Sequence, residues 1–132
     1  MEIRVLKTPS TKEEIDQRVK EGKFFHREAA QGKWFGMSFD EQMGNIGSEV
    51  GRTAIWQGKD EGHFQYAVER ALELFDLKLA DARWKGRLLE IVRARELFCQ
   101  AVAGENEYST TLQDLDNYFL LFALAARAKV VQ

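Results

Sequence analysis

Glu69, Glu73 and Asp76 stand at spacings of four and three residues. On a helix that spacing lines three carboxylates along one ridge. Hard oxygen ligands in such a row suit a divalent cation, and a further carboxylate from a neighbouring helix, Glu49, would complete a Mg2+ site of Glu49, Glu69, Glu73 and Asp76. Arg70 lies between these acids, so the competing arrangement is a ridge paired with arginines or solvated. The only histidines are His26 and His63, and neither follows a glutamate by three residues, which excludes the paired Glu-x-x-His motifs of di-iron bundles. Neither has a Ser or Cys placed by a local motif as its nucleophile. Cys99 is the single cysteine and falls on an apolar stripe, as a core residue does.

A second group of residues is basic. From Arg83 to Arg95 the chain carries five cations (Arg83, Lys85, Arg87, Arg93 and Arg95) against Glu90 alone. With Trp84 among them, Arg83, Lys85, Arg87 and Arg93 are candidates to hold RNA or DNA phosphates. The alternative is pairing with the acidic ridge or a neighbouring subunit. Three of these cations fall where a helix over 84–103 would begin, the end at which the macrodipole disfavours positive charge. Arg95 differs, because it lies within the stripe Leu88, Ile91, Val92, Phe98, Cys99. A core-facing guanidinium requires a carboxylate. The expected buried polar network is Glu49, Arg52, Glu69 and Arg95, with Glu49 or Glu69 as the partner of Arg95.

Helices must position all of these groups. Pro9 is the only proline, so nothing after it is barred from helix on that ground. Residues 1–9 read as a short arm. Ser10 with Glu13 and Thr11 with Glu14 offer capping boxes for a marginal helix over 11–21, stopped by Gly22. The aromatic stretch 23–37, with Phe24, Phe25, Trp34 and Phe35, reads as a loop folded over the bundle end or as a ligand lid. Ser38-Phe39-Asp40-Glu41 is a capping box for a helix to about residue 57, with Gly58 at the stop. Asp60 caps the next helix, which carries Phe64, Ala67, Val68, Ala71, Leu72, Phe75 and Leu79 at helical spacing. The helix over 84–103 ends at Gly104, and Thr110 or Thr111 caps the last helix, towards residue 129. Its segment Tyr118–Ala126 is apolar on every side. A helix of that kind is buried all round, and in a chain this small the extra contact points to another subunit.

The helix from residue 39 carries Gly44, Gly47 and Gly51 beside Ser48 on one side, and Met43, Ile46, Val50 and Ala54 on an adjoining stripe. Each interior glycine costs about 1 kcal/mol relative to alanine. A face without side chains repays this only where another backbone approaches closely. The expected architecture is therefore all-α: an antiparallel four-helix bundle (38–132) with an N-terminal arm, short helix and aromatic loop (1–37), in a single domain over 1–132.

Around Asn45-Ile46-Gly47-Ser48-Glu49-Val50-Gly51-Arg52 the chain resembles the four-helix-bundle family of ribosomal intervening-sequence proteins, which includes the accessory protein of diversity-generating retroelements. That family carries Asn-Ile-Ala-Glu-Gly-aromatic-Gly-Arg. Asn45, Ile46, Gly51 and Arg52 match in register, Gly47 replaces the alanine, and Ser48, Glu49 and Val50 depart. Together with Glu69-Arg70-Ala71-Leu72-Glu73-Leu74, the same run is similar to a group of bacterial proteins that brings no activity with it. The remoter family implies an oligomeric bundle binding nucleic acid and protein. Glu73-Leu74-Phe75-Asp76 also resembles the E-x-x-D half of the signature of all-helical nucleotide pyrophosphohydrolases, whose other half would be E-x-x-E where this chain has a lone Glu49.

A net charge of −2 gives no global drive toward nucleic acid or anionic membrane. The N-terminus is too short and too charged for a signal peptide, and no stretch has the length of uncharged apolar residues that a membrane span needs. The sequence reads as a cytoplasmic, non-catalytic, homo-oligomeric bundle that binds a protein or nucleic acid. The metal-dependent hydrolase, with Mg2+, is the alternative.

Overall fold

The computed structural model describes His26, residues 32–104 and residues 110–131. The arm over 1–9, the helix over 11–21 with its caps and stop, and Phe24 and Phe25 lie outside the described residues. Four helices make the bundle: α1 (Phe39–Trp56), α2 (Glu61–Leu79), α3 (Leu88–Ala103) and α4 (Leu112–Val131). Short 3-10 turns stand at Trp34–Gly36 and Ala82–Arg87, and no strand occurs among the described residues.

The caps fix where each helix starts. Ser38 Oγ accepts from the Glu41 N–H at 3.1 Å while the Glu41 carboxylate accepts from the Ser38 N–H at 3.2 Å, the reciprocal box expected from the sequence. Asp60 accepts from the His63 N–H at 2.9 Å. Thr111, rather than Thr110, opens α4, sharing a reciprocal box with Asp114. Gly58 and Gly104 take φ of 75° and 74° after α1 and α3, the left-handed conformation that stops a helix.

One boundary differs from expectation. Residues 82–87 form a 3-10 turn, and α3 begins only at Leu88. Asp81 accepts from the Arg83 N–H at 3.1 Å, and Trp84 swings inward to donate its indole N–H to Gln42 Oε1 at 2.7 Å. Lys85 therefore precedes the helix, and Arg87, at its N-cap, is paired with Glu90 of the first turn, which offsets the clash with the macrodipole.

Adjacent helices run antiparallel. A Cβ added at Gly44, Gly47 or Gly51 would meet Ala123, Phe119 or Asp116 respectively, so α4 descends as α1 rises. The glycine face is where α4 lies on α1, and this is the most extensive helix pair of the bundle. Met43, Ile46, Val50, Phe64, Val68, Leu72, Phe75, Ile91, Phe98 and Phe119 fill the core, closed at one end by Trp34 and Phe39. Trp34 is 1% exposed, so the described part of the aromatic stretch folds over the bundle end.

One face is not where the sequence put it, and the all-round burial expected of α4 is not made within one chain. On α3 the buried stripe is Ile91, Ala94, Phe98, Ala101 and Val102, while Leu88 and Val92 are exposed. The late helix start and the pull of Phe98 toward Phe75, at 5.7 Å between ring centroids, set that rotation. All-round burial occurs on α2, where every residue from Ala71 to Lys78 is buried. On α4, Leu112, Leu115 and Phe119 are buried but Leu120, Leu121 and Leu124 face outward.

Candidate functional site

The charged residues of the α1–α2 seam gather around Glu49, which is 4% exposed. Arg70, reaching from α2, donates from Nε to Glu49 Oε2 at 3.2 Å and from a terminal nitrogen to Oε1 at 3.1 Å. Arg52, one turn along α1, donates to Oε1 at 3.1 Å. His26 enters from outside the bundle. Its backbone N–H donates to Glu73 Oε1 at 2.7 Å, its Nδ1 lies 2.8 Å from the same oxygen, and its Nε2 lies 3.2 Å from Glu49 Oε1. Burying two carboxylates together is costly unless cations and donors match them. Here a guanidinium fork and an imidazole do so.

The electrostatics follow from that packing. Burial opposes ionisation of Glu49, but the hydrogen bonds from His26 and Arg70 outweigh it and hold the carboxyl at about 2. For His26, burial lowers and the bonds to Glu49 and Glu73 raise, and the net direction is upward from 6.5. Folding stability linked to a lowered carboxyl is present above its unfolded value near 4.5 and lost as pH falls toward about 2. Stability linked to a raised histidine is fully present below 6.5 and lost as pH rises through the folded value. The cluster is therefore tightest between those limits. In chemical denaturation from pH 5 to 9, native protein minus the His26→Gln variant is expected to give a stability difference that is largest at pH 5 and shrinks as pH rises. A difference independent of pH would show that the imidazole is uncharged throughout.

A second buried network lies about two turns away along α1 and α2. Lys78 has no exposed surface. Its Nζ donates to the Phe39 carbonyl and to Gln42 Oε1, both at 3.0 Å, and sits 3.5 Å from the centroid of the Phe39 ring. Gln42, also without exposed surface, donates to the Trp34 carbonyl at 2.9 Å and to Asp81 at 3.1 Å, while its oxygen accepts from Lys78 and Trp84. All four hydrogen-bonding positions of the amide are used. Burial, reinforced by Arg87, pushes the Lys78 ammonium down to about 7.

The expected sites are partly brought together. Glu49 and Arg52 share one cluster, but Arg95 pairs with Asp76 at 3.2 Å, not with Glu49 or Glu69. With Phe75 facing Phe98, the antiparallel register puts Arg95 opposite Asp76, and Glu69 lies about two turns further along α2. Glu69 is half-buried and joins neither pair among the described residues. Of the four candidate metal ligands, Glu49 and Glu73 meet at His26 and Asp76 meets Arg95. No group of three or more His, Cys, Asp or Glu among the described residues is arranged to hold a metal ion.

The basic run is held locally. Arg83 contacts Asp81 at 2.7 Å and donates to the Met37 carbonyl at 2.7 Å. Arg87 bonds Glu90 at 2.9 Å and lies 3.5 Å from the Phe39 ring centroid. Lys85 and Arg93 are exposed. Trp84 packs edge-on against Phe39 at 5.1 Å and carries Arg83 at 4.5 Å from its ring centroid. Its ring serves the core and a guanidinium. The acidic ridge reaches this run only at Arg95, through Asp76, while Asp81 holds Arg83 and Glu90 holds Arg87.

No family model, curated protein or solved structure matches this chain. The site is thus read from its own geometry. Two apolar surfaces lie apart from the charged clusters. A mostly apolar groove of about 660 Å3 opens between α3 and α4, lined by Leu89, Leu97, Leu115 and Tyr118 with Arg87 and Arg93 at its edge. Beside it stands the outward face of α4. None of the described helices is long and apolar enough to cross a membrane.

His26, Arg70 and Lys78 were not assigned from the sequence. Lys78 had a readable signal, since it stands three residues after Phe75 and seven after Ala71, on the buried stripe. His26 had none, because its partners are 23 and 47 residues away in sequence.

Proposed function

We propose that this chain is a non-catalytic, self-associating helical bundle whose working surface is apolar and whose partners are proteins. The observation that carries this reading is the outward face of α4, where Leu120, Leu121 and Leu124 are 54%, 65% and 52% exposed. Single exposed leucines are ordinary, but three on one helical face form the kind of apolar patch that marks an interface. The resemblance to the oligomeric intervening-sequence bundles is in keeping with it.

Nucleic-acid binding is the weaker version of the same reading. Arg83 and Arg87 are engaged by carboxylates, and Trp84 is turned inward, which removes the stacking platform that a single strand would use. No observation favours the Mg2+-dependent hydrolase, three of whose carboxylates, Glu49, Glu73 and Asp76, are matched by Arg70, His26 and Arg95. A reducing cytoplasm fits the single, half-buried Cys99 thiol.

Replacing Leu121 and Leu124 together by glutamate tests the proposal. The pair lies outside the core, so the variant is expected to keep its helical circular dichroism, with a thermal midpoint that no longer depends on protein concentration. Light scattering is expected to give the mass of one chain for the variant and of an oligomer for the native protein. An unchanged oligomer in the variant would overturn the assignment to this face.

A further inference from the structure

Charge is distributed unevenly along α4. Asp114 is exposed near its start, Arg127 and Lys129 are exposed near its end, and the exposed leucines lie in the middle, while Asp116 turns toward Gly51 of α1. Asp114, Asn117, Leu121, Leu124 and Ala128 are all exposed. Their spacings of three, four, three and four are those of a coiled-coil seam.

We propose that two copies of this chain pair along that seam with their α4 helices antiparallel, about a two-fold axis passing midway between Leu121 and Leu124. The inference rests on the self-association proposed above and adds the partner's identity and direction. An antiparallel match sets Leu121 of one copy against Leu124 of the other and Asn117 against Ala128. It also carries the acidic start of each helix to the basic end of its mate. A parallel match would stack acid on acid and base on base, with the two macrodipoles aligned. Lys129 is already engaged by Asp40 at 2.8 Å, whereas Arg127 makes no ion pair among the described residues. Arg127 is thus the cation left to meet an acid of the second copy. The arrangement is isologous and closes at two chains.

The test uses the full chain carrying Cys99→Ala, with Asn117→Cys in one preparation and Ala128→Cys in another. The two are mixed, allowed to exchange, and oxidised. Intact mass separates the three possible disulfide pairs. The antiparallel seam predicts that the 117–128 link exceeds either like-with-like link by about tenfold or more, because a disulfide forms only where the two Cα atoms come within roughly 7 Å. A predominant 117–117 link would overturn the alignment while leaving self-association intact. No link at all in a sample that sediments as a dimer would remove this face from the interface. No link in a sample that sediments as a single chain would defeat the self-association itself.

Discussion

Gly47→Ala is expected to destabilise the protein by about 2 kcal/mol or more, although alanine is the better helix former by about 1 kcal/mol. A Cβ at this position would stand 2.6 Å from Phe119 Cβ. That atom is fixed by the α4 backbone, and Phe119 is itself fully buried, so relief requires moving a helix. The neighbouring glycines provide the control. At Gly44 the added carbon would be 3.2 Å from Ala123 Cα and Cβ, and at Gly51 it would be 2.9 Å from the end of the Asp116 carboxylate, which can swing away. Denaturant midpoints should therefore rank Gly51→Ala highest, near or above the native protein, Gly44→Ala between, and Gly47→Ala lowest. Equal effects at all three positions would mean that α4 does not sit in this register.

Lys78→Met should act in the opposite direction and stabilise. Methionine follows the same path through the core without a charge, and Gln42 Oε1 keeps its bond from Trp84 at 2.7 Å, so no acceptor is stranded. A lysine at about 7 in the folded state, against 10.5 unfolded, binds fewer protons folded than unfolded between those values. The native protein therefore gains stability as pH rises from 7 to 10.5 and lacks it below 7. The full span corresponds to about 4 to 5 kcal/mol. The lost hydrogen bonds and ring contacts offset part of it, leaving a gain of about 1 kcal/mol or more at pH 6. Urea denaturation at pH 6, 8 and 10 checks this: the advantage of the variant should be greatest at pH 6 and shrink toward pH 10. A variant less stable at pH 6 would show that the Lys78 contacts outweigh its desolvation.

These two positions also show what could be read in advance. The glycine face of α1 was legible because a helix tolerates three glycines on one side only if something packs there, and that something is α4. The caps at Ser38 and Asp60 were legible because capping is local chemistry. Arg95 was rightly assigned a carboxylate partner, but its partner depends on the register between α2 and α3, which no local pattern encodes. The start of α3 was misplaced because Asp81 and Gln42, 39 residues apart in sequence, jointly hold the turn over 82–87. His26 was missed for the same reason. Local patterns fixed the helices; contacts between distant segments fixed the site.

The central claim is that the exposed face of α4 joins this chain to a second copy. Sedimentation equilibrium of the unaltered protein, over a concentration series from about 1 to 100 μM, measures it most directly. A mass that rises with concentration to twice the 15.2 kDa of one chain is the predicted result. A constant mass of one chain across the series would contradict it.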